Sequence, residues 1–139
     1  SKDYSIYKLK LKLLKNNFSH KDIDIVLIYL QKKNLLIENN YIEGRVKFLI
    51  RKGHSANNIQ KILKLENITY DLFNIMTVFK NQNTTEDILI NNIIQKRFFS
   101  KKIENEHQKN KLKNKVLRYL LSKGHEWAKC NTIFNNLSP

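Results

Sequence analysis

Apolar residues return along this chain at intervals of three and four, the spacing of one face of a helix. The opening is the one place where period two competes, because Tyr7-Lys8-Leu9-Lys10-Leu11-Lys12-Leu13 alternates as a strand would. Ile6, Leu9 and Leu13 also make a helix face, with Lys8, Lys12 and Lys15 on another, and nothing nearby offers a partner strand. The spacing therefore predicts a first helix, halted at Asn16-Asn17. Ser19 and Asp22 have the separation of a capping box, and a second face of Ile23, Val26, Leu27 and Leu30 follows. It is expected to end near Asn34, a residue that can take a left-handed cap.

The same grammar continues to the end of the chain. Ile42, Val46, Leu49 and Ile50 predict a third helix that stops at Gly53. Ser55 can cap a short fourth with Ile59, Ile62 and Leu63 inward, and Thr69 a fifth with Phe73, Met76 and Phe79 inward. After the polar break 81–84, Thr85 opens a sixth with Ile90, Ile93, Ile94 and Phe98. Residues 101–115 are strongly basic and weakly apolar, so they read as part loop and part exposed helix start. Leu112, Val116, Tyr119 and Leu120 mark a seventh helix, stopped at Gly124. Trp127, Cys130, Phe134 and Leu137 mark an eighth. The expected fold is all-α, with about eight short helices.

Two stops share the tripeptide Lys-Gly-His, at 52–54 and 123–125, in a chain with only 3 glycines. Superposing the two directly matches their surroundings poorly. A better alignment sets "LLKNNFSHKDI" (13–23) beside "LKLENITYDLF" (63–73) and "LLSKGHEWAKC" (120–130). Each has an apolar helix end, a polar joint, an apolar or ring residue, and then a helix with an inward side chain. The aligned joints mark a repeat, with a partial unit expected over 3–34, a second over 39–81 and a third over 85–137. They would form a single domain over 1–139, elongated or curved. Glycine suits both Lys-Gly-His stops because it alone takes positive φ cheaply, and a preceding Lys suits the negative end of a helix.

Charge changes the picture more than length does. Lys and Arg number 26 against 12 Asp and Glu, a formal net charge of +14, which attracts polyanions or an acidic protein face. A/T-rich codons would supply Lys, Asn and Ile without selection for binding, but they do not explain the shortage of acids. Arg45, Arg51 and Lys52 lie off the apolar stripe of the third helix, and Lys47 lies nearer its edge. Lys96, Arg97, Lys101, Lys102, Lys109, Lys111 and Lys115 form a second basic region. A solvated face is the plain reading of any single lysine. The clusters point to an anionic partner.

Catalytic chemistry finds little support. His20, His54, His107 and His125 share no i, i+4 pairing that would hold a metal, and no zinc-type Cys/His spacing occurs. There is no paired-carboxylate motif, no Gly-rich phosphate loop and no Ser-His-Asp context. Cys130 falls on an inward stripe and reads as a buried, inert thiol. Trp127 shares that stripe and reads as core, although an exposed Trp could stack a base. Neither an enzyme nor a cofactor is expected. No apolar run reaches the roughly 18 residues of a membrane span, and no leader pattern opens the chain, so a cytoplasmic monomer without membrane contact is expected. The chain begins at Ser1 and not Met, as a trimmed N-terminus would.

"NLLIENNYIEGRVKFLIRKGHSANNIQKILKLENIT" (34–69) resembles the middle of the RecX family of recombinase regulators. "DYSIYKLKLKLL" (3–14) is similar to that family's opening, and "KVLRYLLSKGHEW" (115–127) to its closing element. The motifs occur in order and at matching spacing over nearly the whole chain. Ile37-Glu38 stands where the family has Asp-Asp, and His54 and His125 stand where it has an aromatic after Gly. The resemblance implies three-helix repeats, usually nine helices, of which this chain would lack the first. It implies a non-enzymatic modulator of the RecA recombinase, seated in the groove of the RecA–DNA filament. Such a protein would touch RecA and single- or double-stranded DNA, and would reduce ATPase and strand exchange. Arg45, Lys47, Arg51, Lys52, Lys96, Arg97, Lys101, Lys102, Lys111 and Lys115 are then the expected contacts. A general basic DNA- or RNA-binding helical module, without a recombinase partner, is the alternative.

Overall fold

Five helix ends in this chain close by one hydrogen-bond pattern, and that pattern organises the fold. A computed structural model describes residues 2–137, with side chains from Lys8 onward. At each of the five stops an N–H reaches back five residues: Phe18 to Leu13, His54 to Leu49, Ile68 to Leu63, Thr84 to Phe79 and His125 to Leu120, at 2.8–3.3 Å. The residue before each donor has positive φ: Asn17, Gly53, Asn67, Asn83 and Gly124. This is the Schellman closure, in which a left-handed residue lets the chain satisfy carbonyls that the helix end leaves open. Asn17, Asn67 and Gly124 occupy the same position in the three aligned joints.

Among the described residues every regular element is helical. They are α1 (Lys2–Lys15), α2 (His20–Arg51), α3 (Ala56–Leu65), α4 (Leu72–Asn81), α5 (Glu86–Ile94), α6 (Glu106–Ser122) and α7 (Trp127–Leu137). A π-turn, Gln95–Phe99, continues α5. The chain divides into two compact units, Ser1–Ile42 and Glu43–Pro139.

In the first unit the Ser19 hydroxyl accepts from the Asp22 N–H at 3.2 Å, as the capping spacing predicts, and Ile23 and Leu27 are buried. Leu9 and Leu13 are half-buried. The inward placement expected of Ile6 lies outside the described side chains. The expected helix end at Asn34 does not occur, because α2 runs without interruption through it. Leu35, Leu36 and Glu38 continue a helix readily, and Asn39 and Asn40, which could cap a new start, are themselves helical within α2. Seven α-helices therefore stand where about eight short ones were expected, and one of them has 32 residues.

In the second unit, side-chain caps open the helices. Ser55 accepts from the Asn58 N–H, Thr85 from Ile88 and Asn105 from Gln108, at 2.8–3.1 Å. Ile90, Ile94, Phe98, Val116, Leu117, Leu120, Cys130 and Phe134 form one buried cluster. Phe98 and Phe134 meet edge to face at 4.6 Å, a preferred aromatic geometry. Val46, Leu49, Ile50, Ile59, Leu63, Ile75, Val78 and Phe79 are buried as well.

Val26, expected inward on the second helix, is 43% exposed, and two further stripe assignments need correction. α4 is capped by Asp71, whose carboxylate accepts from the Asn74 N–H at 2.8 Å, and not by Thr69. The inward residue stands four positions after the cap: Ile23 after Ser19, Ile59 after Ser55 and Cys130 after Glu126. A cap two residues late moves that place from Phe73 to Ile75. Phe73 is consequently 78% exposed and Met76 43%, while Ile75, Val78 and Phe79 face inward. Trp127, the first residue of α7, is 55% exposed, and the buried stripe of that helix starts at Cys130. Burial raises the Cys130 thiol to about 11, which leaves it protonated near neutrality.

Candidate polyanion-binding surface

The two Lys-Gly-His stops touch each other. The His125 Nε2–H donates to the Gly53 carbonyl at 2.8 Å, and the Ser55 N–H donates to the Lys123 carbonyl at 2.9 Å. His125 is buried, and its other ring nitrogen, Nδ1, has no hydrogen-bond partner among the described residues. The nearest carboxylate oxygen, on Glu86, is 4.0 Å away. Burial lowers the His125 pKa against the opposing pull of the Gly53 hydrogen bond and Glu86, so the ring is held neutral. His54 stays at the half-exposed edge, where its Nδ1 accepts from Asn58 Nδ2 at 2.7 Å. The expected slot for a ring after each glycine exists, and only the second histidine fills it deeply.

This clasp brings the two basic regions next to each other. On the last turns of α2, Arg45 and Lys52 lie over the Phe48 ring at 5.5 and 5.4 Å, and that ring is 41% exposed. Arg51 and Lys52 are exposed, while Lys47 is half-buried. Arg45 is not offered openly to a partner. Its Nε and Nη2 donate to the two carboxylate oxygens of Glu66 at 3.0 and 2.8 Å, a bidentate pair that lowers the Glu66 pKa. Beyond Gly53 comes Lys123, whose stem lies 3.9 Å from the place a Gly53 Cβ would take. Its ammonium is 5.4 Å from the centre of the Tyr119 ring.

The Arg97 guanidinium covers the same Tyr119 ring at 3.5 Å, well within cation–π range. A groove of about 370 Å³ opens there, with Lys96, Arg97, Lys101 and Lys115 around a floor of Leu112, Val116 and Tyr119. Lys102 and Lys111 are exposed and do not line it. Four of the expected contact residues thus meet in one groove, and Arg51 and Lys52 lie beside the clasp. Lys123, Tyr119 and Phe48 were not among the expected contacts. The repeated Lys before Gly was the visible sign of Lys123, but the aromatic partners depend on packing between distant helices. Among the described residues no group of three or more His, Cys, Asp or Glu could hold a metal, and no helix is long and apolar enough to cross a membrane.

Comparison with known proteins bears on identity. The regulatory protein RecX of Haemophilus influenzae (strain PittEE) is 27% identical over 124 residues, covering 88% of this chain and 78% of that protein. The regulatory protein RecX of Clostridium perfringens (strain 13) is 30% identical over 139 aligned residues, 94% of this chain and 60% of that protein. That of Clostridium tetani is 29% identical over 130 residues, 91% of this chain and 57% of its own. These similarities, spread over most of the chain, support the RecX family. No protein-family model matches it, and no solved structure matches it significantly. The all-helical fold is consistent with the all-α class that the RecX resemblance implied.

Proposed function

We propose that this RecX-family chain regulates the RecA recombinase by binding its filament on DNA and impeding filament growth or promoting disassembly. It acts without catalysis or a cofactor, as a cytoplasmic monomer. The supporting observation is the basic groove around Tyr119, four cations lined by no carboxylate and adjoining the clasp. A groove binder shifts a filament equilibrium only by its different affinity for the filament's states. Contacts to both protein and DNA supply that difference, because bare DNA offers the electrostatic part alone. A general nucleic-acid module is the second reading, and the same groove favours it if the recombinase adds nothing.

RecA ATPase on single-stranded DNA, with and without this protein, tests the choice. The expected result is inhibition, with tighter binding to the filament than to bare DNA and weakening of both by salt. Equal affinity for filament and bare DNA, with ATPase untouched, would move the assignment to the general module. Charge reversal at Arg51 and Lys52 together is the cleaner probe of the α2 face. Reversing Arg45 as well would set a carboxylate against Glu66 and perturb the fold. The double variant is expected to relieve inhibition while keeping its melting temperature.

A further inference from the structure

The two basic regions differ in how open they are to an anion. Arg45 already holds a carboxylate in the planar, bidentate manner that guanidinium favours. Any further anion on that face meets the Glu66 charge. The groove beside Tyr119 has no acidic residue in its lining. Its Arg97 lies over the Tyr119 ring, and three lysines supply point charges around it. Lysine ammoniums meet a phosphate as point charges, several at once, and an Arg fork pairs with phosphate as it does with carboxylate.

The backbone that shapes the groove is also unusual. The Ser100 N–H donates to the Gln95 carbonyl at 3.0 Å, the five-residue bond of a π-turn. Such single wide turns inside helices occur frequently at functional sites. Phe98 and Phe99 hold this one against Phe134, with ring centroids 4.6 and 5.9 Å from it. The Ser100 hydroxyl donates to the Lys96 carbonyl and ties off the turn. Lys96 and Arg97, on the opposite side of that anchor, face Lys115 of α6 across the groove with Lys101. Four like charges over an apolar floor repel one another, and an anion between them relieves that repulsion.

We propose that the groove between the π-turn and α6 is a phosphate seat for the sugar–phosphate backbone of a nucleic-acid strand. The seat rests on the reading above for its biological setting, yet it is measured without recombinase. The experiment follows a labelled single-stranded oligothymidylate by fluorescence anisotropy against K96Q/K101Q/K115Q, whose changes are all at exposed positions. A second variant, K21Q/K32Q/K33Q, removes the same charge from exposed positions on α2.

The groove variant is expected to bind about tenfold or more weakly. Its log–log salt slope should fall by about 2, at about 0.7 for each phosphate no longer neutralised. The α2 variant should change little, and inorganic tripolyphosphate should displace the oligonucleotide from the wild-type protein. Equal losses in both variants would reduce the effect to net charge and overturn the seat. So would a polyglutamate peptide that competes better than tripolyphosphate, or tripolyphosphate binding with no oligonucleotide binding. If the groove variant loses oligonucleotide in a protein that never alters RecA ATPase, the seat stands and the recombinase reading falls. If the groove variant binds oligonucleotide unchanged in a protein that does alter ATPase, the seat falls and the recombinase reading stands.

Discussion

Lys52-Gly53-His54 and Lys123-Gly124-His125 are the same three residues closing helices by the same hydrogen bonds, yet they are not equivalent parts. Both glycines have positive φ, +93° and +88°. A Cβ at Gly53 would meet the flexible tip of Ile93 at 3.1 Å. One at Gly124 would lie 2.5 Å from Asn58 Cβ and 2.6 Å from the Ser55 hydroxyl. His54 bonds a neighbour four residues away, while His125 reaches a carbonyl 72 residues away in sequence. A stop signal sets the local backbone, and the surface that comes to rest on it decides what the stop is worth.

The sharpest test of that contrast is the pair G124A and G53A. Both introduce a side chain at positive φ, which costs about 1–2 kcal/mol. Only Gly124→Ala adds a clash inside the clasp, worth a further ~1–3 kcal/mol for overpacking. Equal falls in thermal melting temperature for the two variants would erase the distinction. Next comes Ser55→Ala, expected to cost about 1 kcal/mol as the lost cap of α3. It also removes one of the groups crowding Gly124, so the double variant S55A/G124A should be less destabilised than the sum. Strict additivity would mean that the two joints are not coupled.

A third test uses acid. Burial depresses the folded His125 pKa below the ordinary imidazole value of 6.5, so the unfolded chain binds more protons as pH drops. The stability from this group is fully present above about 6.5 and is lost as pH falls through the folded value. Burial and Lys123 lower His54 too, so both joints act in the same direction. Denaturant midpoints should therefore decline on acidification, and H125Q should flatten the decline more than H54Q. A steeper loss through His54 would reverse the ranking of the two joints. The smallest effect is expected at Phe73. It is exposed, so Phe73→Ala should shift stability by no more than about 0.5 kcal/mol. A loss of core-aromatic size would show that α4 turns its other face inward.

Much of the fold was legible because its punctuation is chemical and local. Asn and Gly at the stops, and Ser19, Ser55 and Thr85 at the starts, act through their own backbone and can be read one at a time. The sequence misleads where a decision is relative. Asn34 resembles Asn17, but α2 runs through it. Phe73 is larger than Ile75, yet the inward place is counted from Asp71 and not chosen by size. The site was legible as charge and not as geometry. Lysines announce a basic face, whereas the Glu66 partner of Arg45 and the ring shared by Arg97 and Lys123 depend on how the helices pack.

The same burial that makes Cys130 useless as a nucleophile makes it useful as a clock. It is the chain's only thiol, it is fully buried among Ile90, Leu120 and Phe134, and it is held protonated. An alkylating reagent reacts with the exposed thiolate, so it can report only those moments when α7 lifts from the cluster. With opening and closing fast relative to alkylation, the labelling rate of the unmodified protein reads the free energy of that motion directly. No engineered probe is needed to measure whether an added polyanion slows that motion.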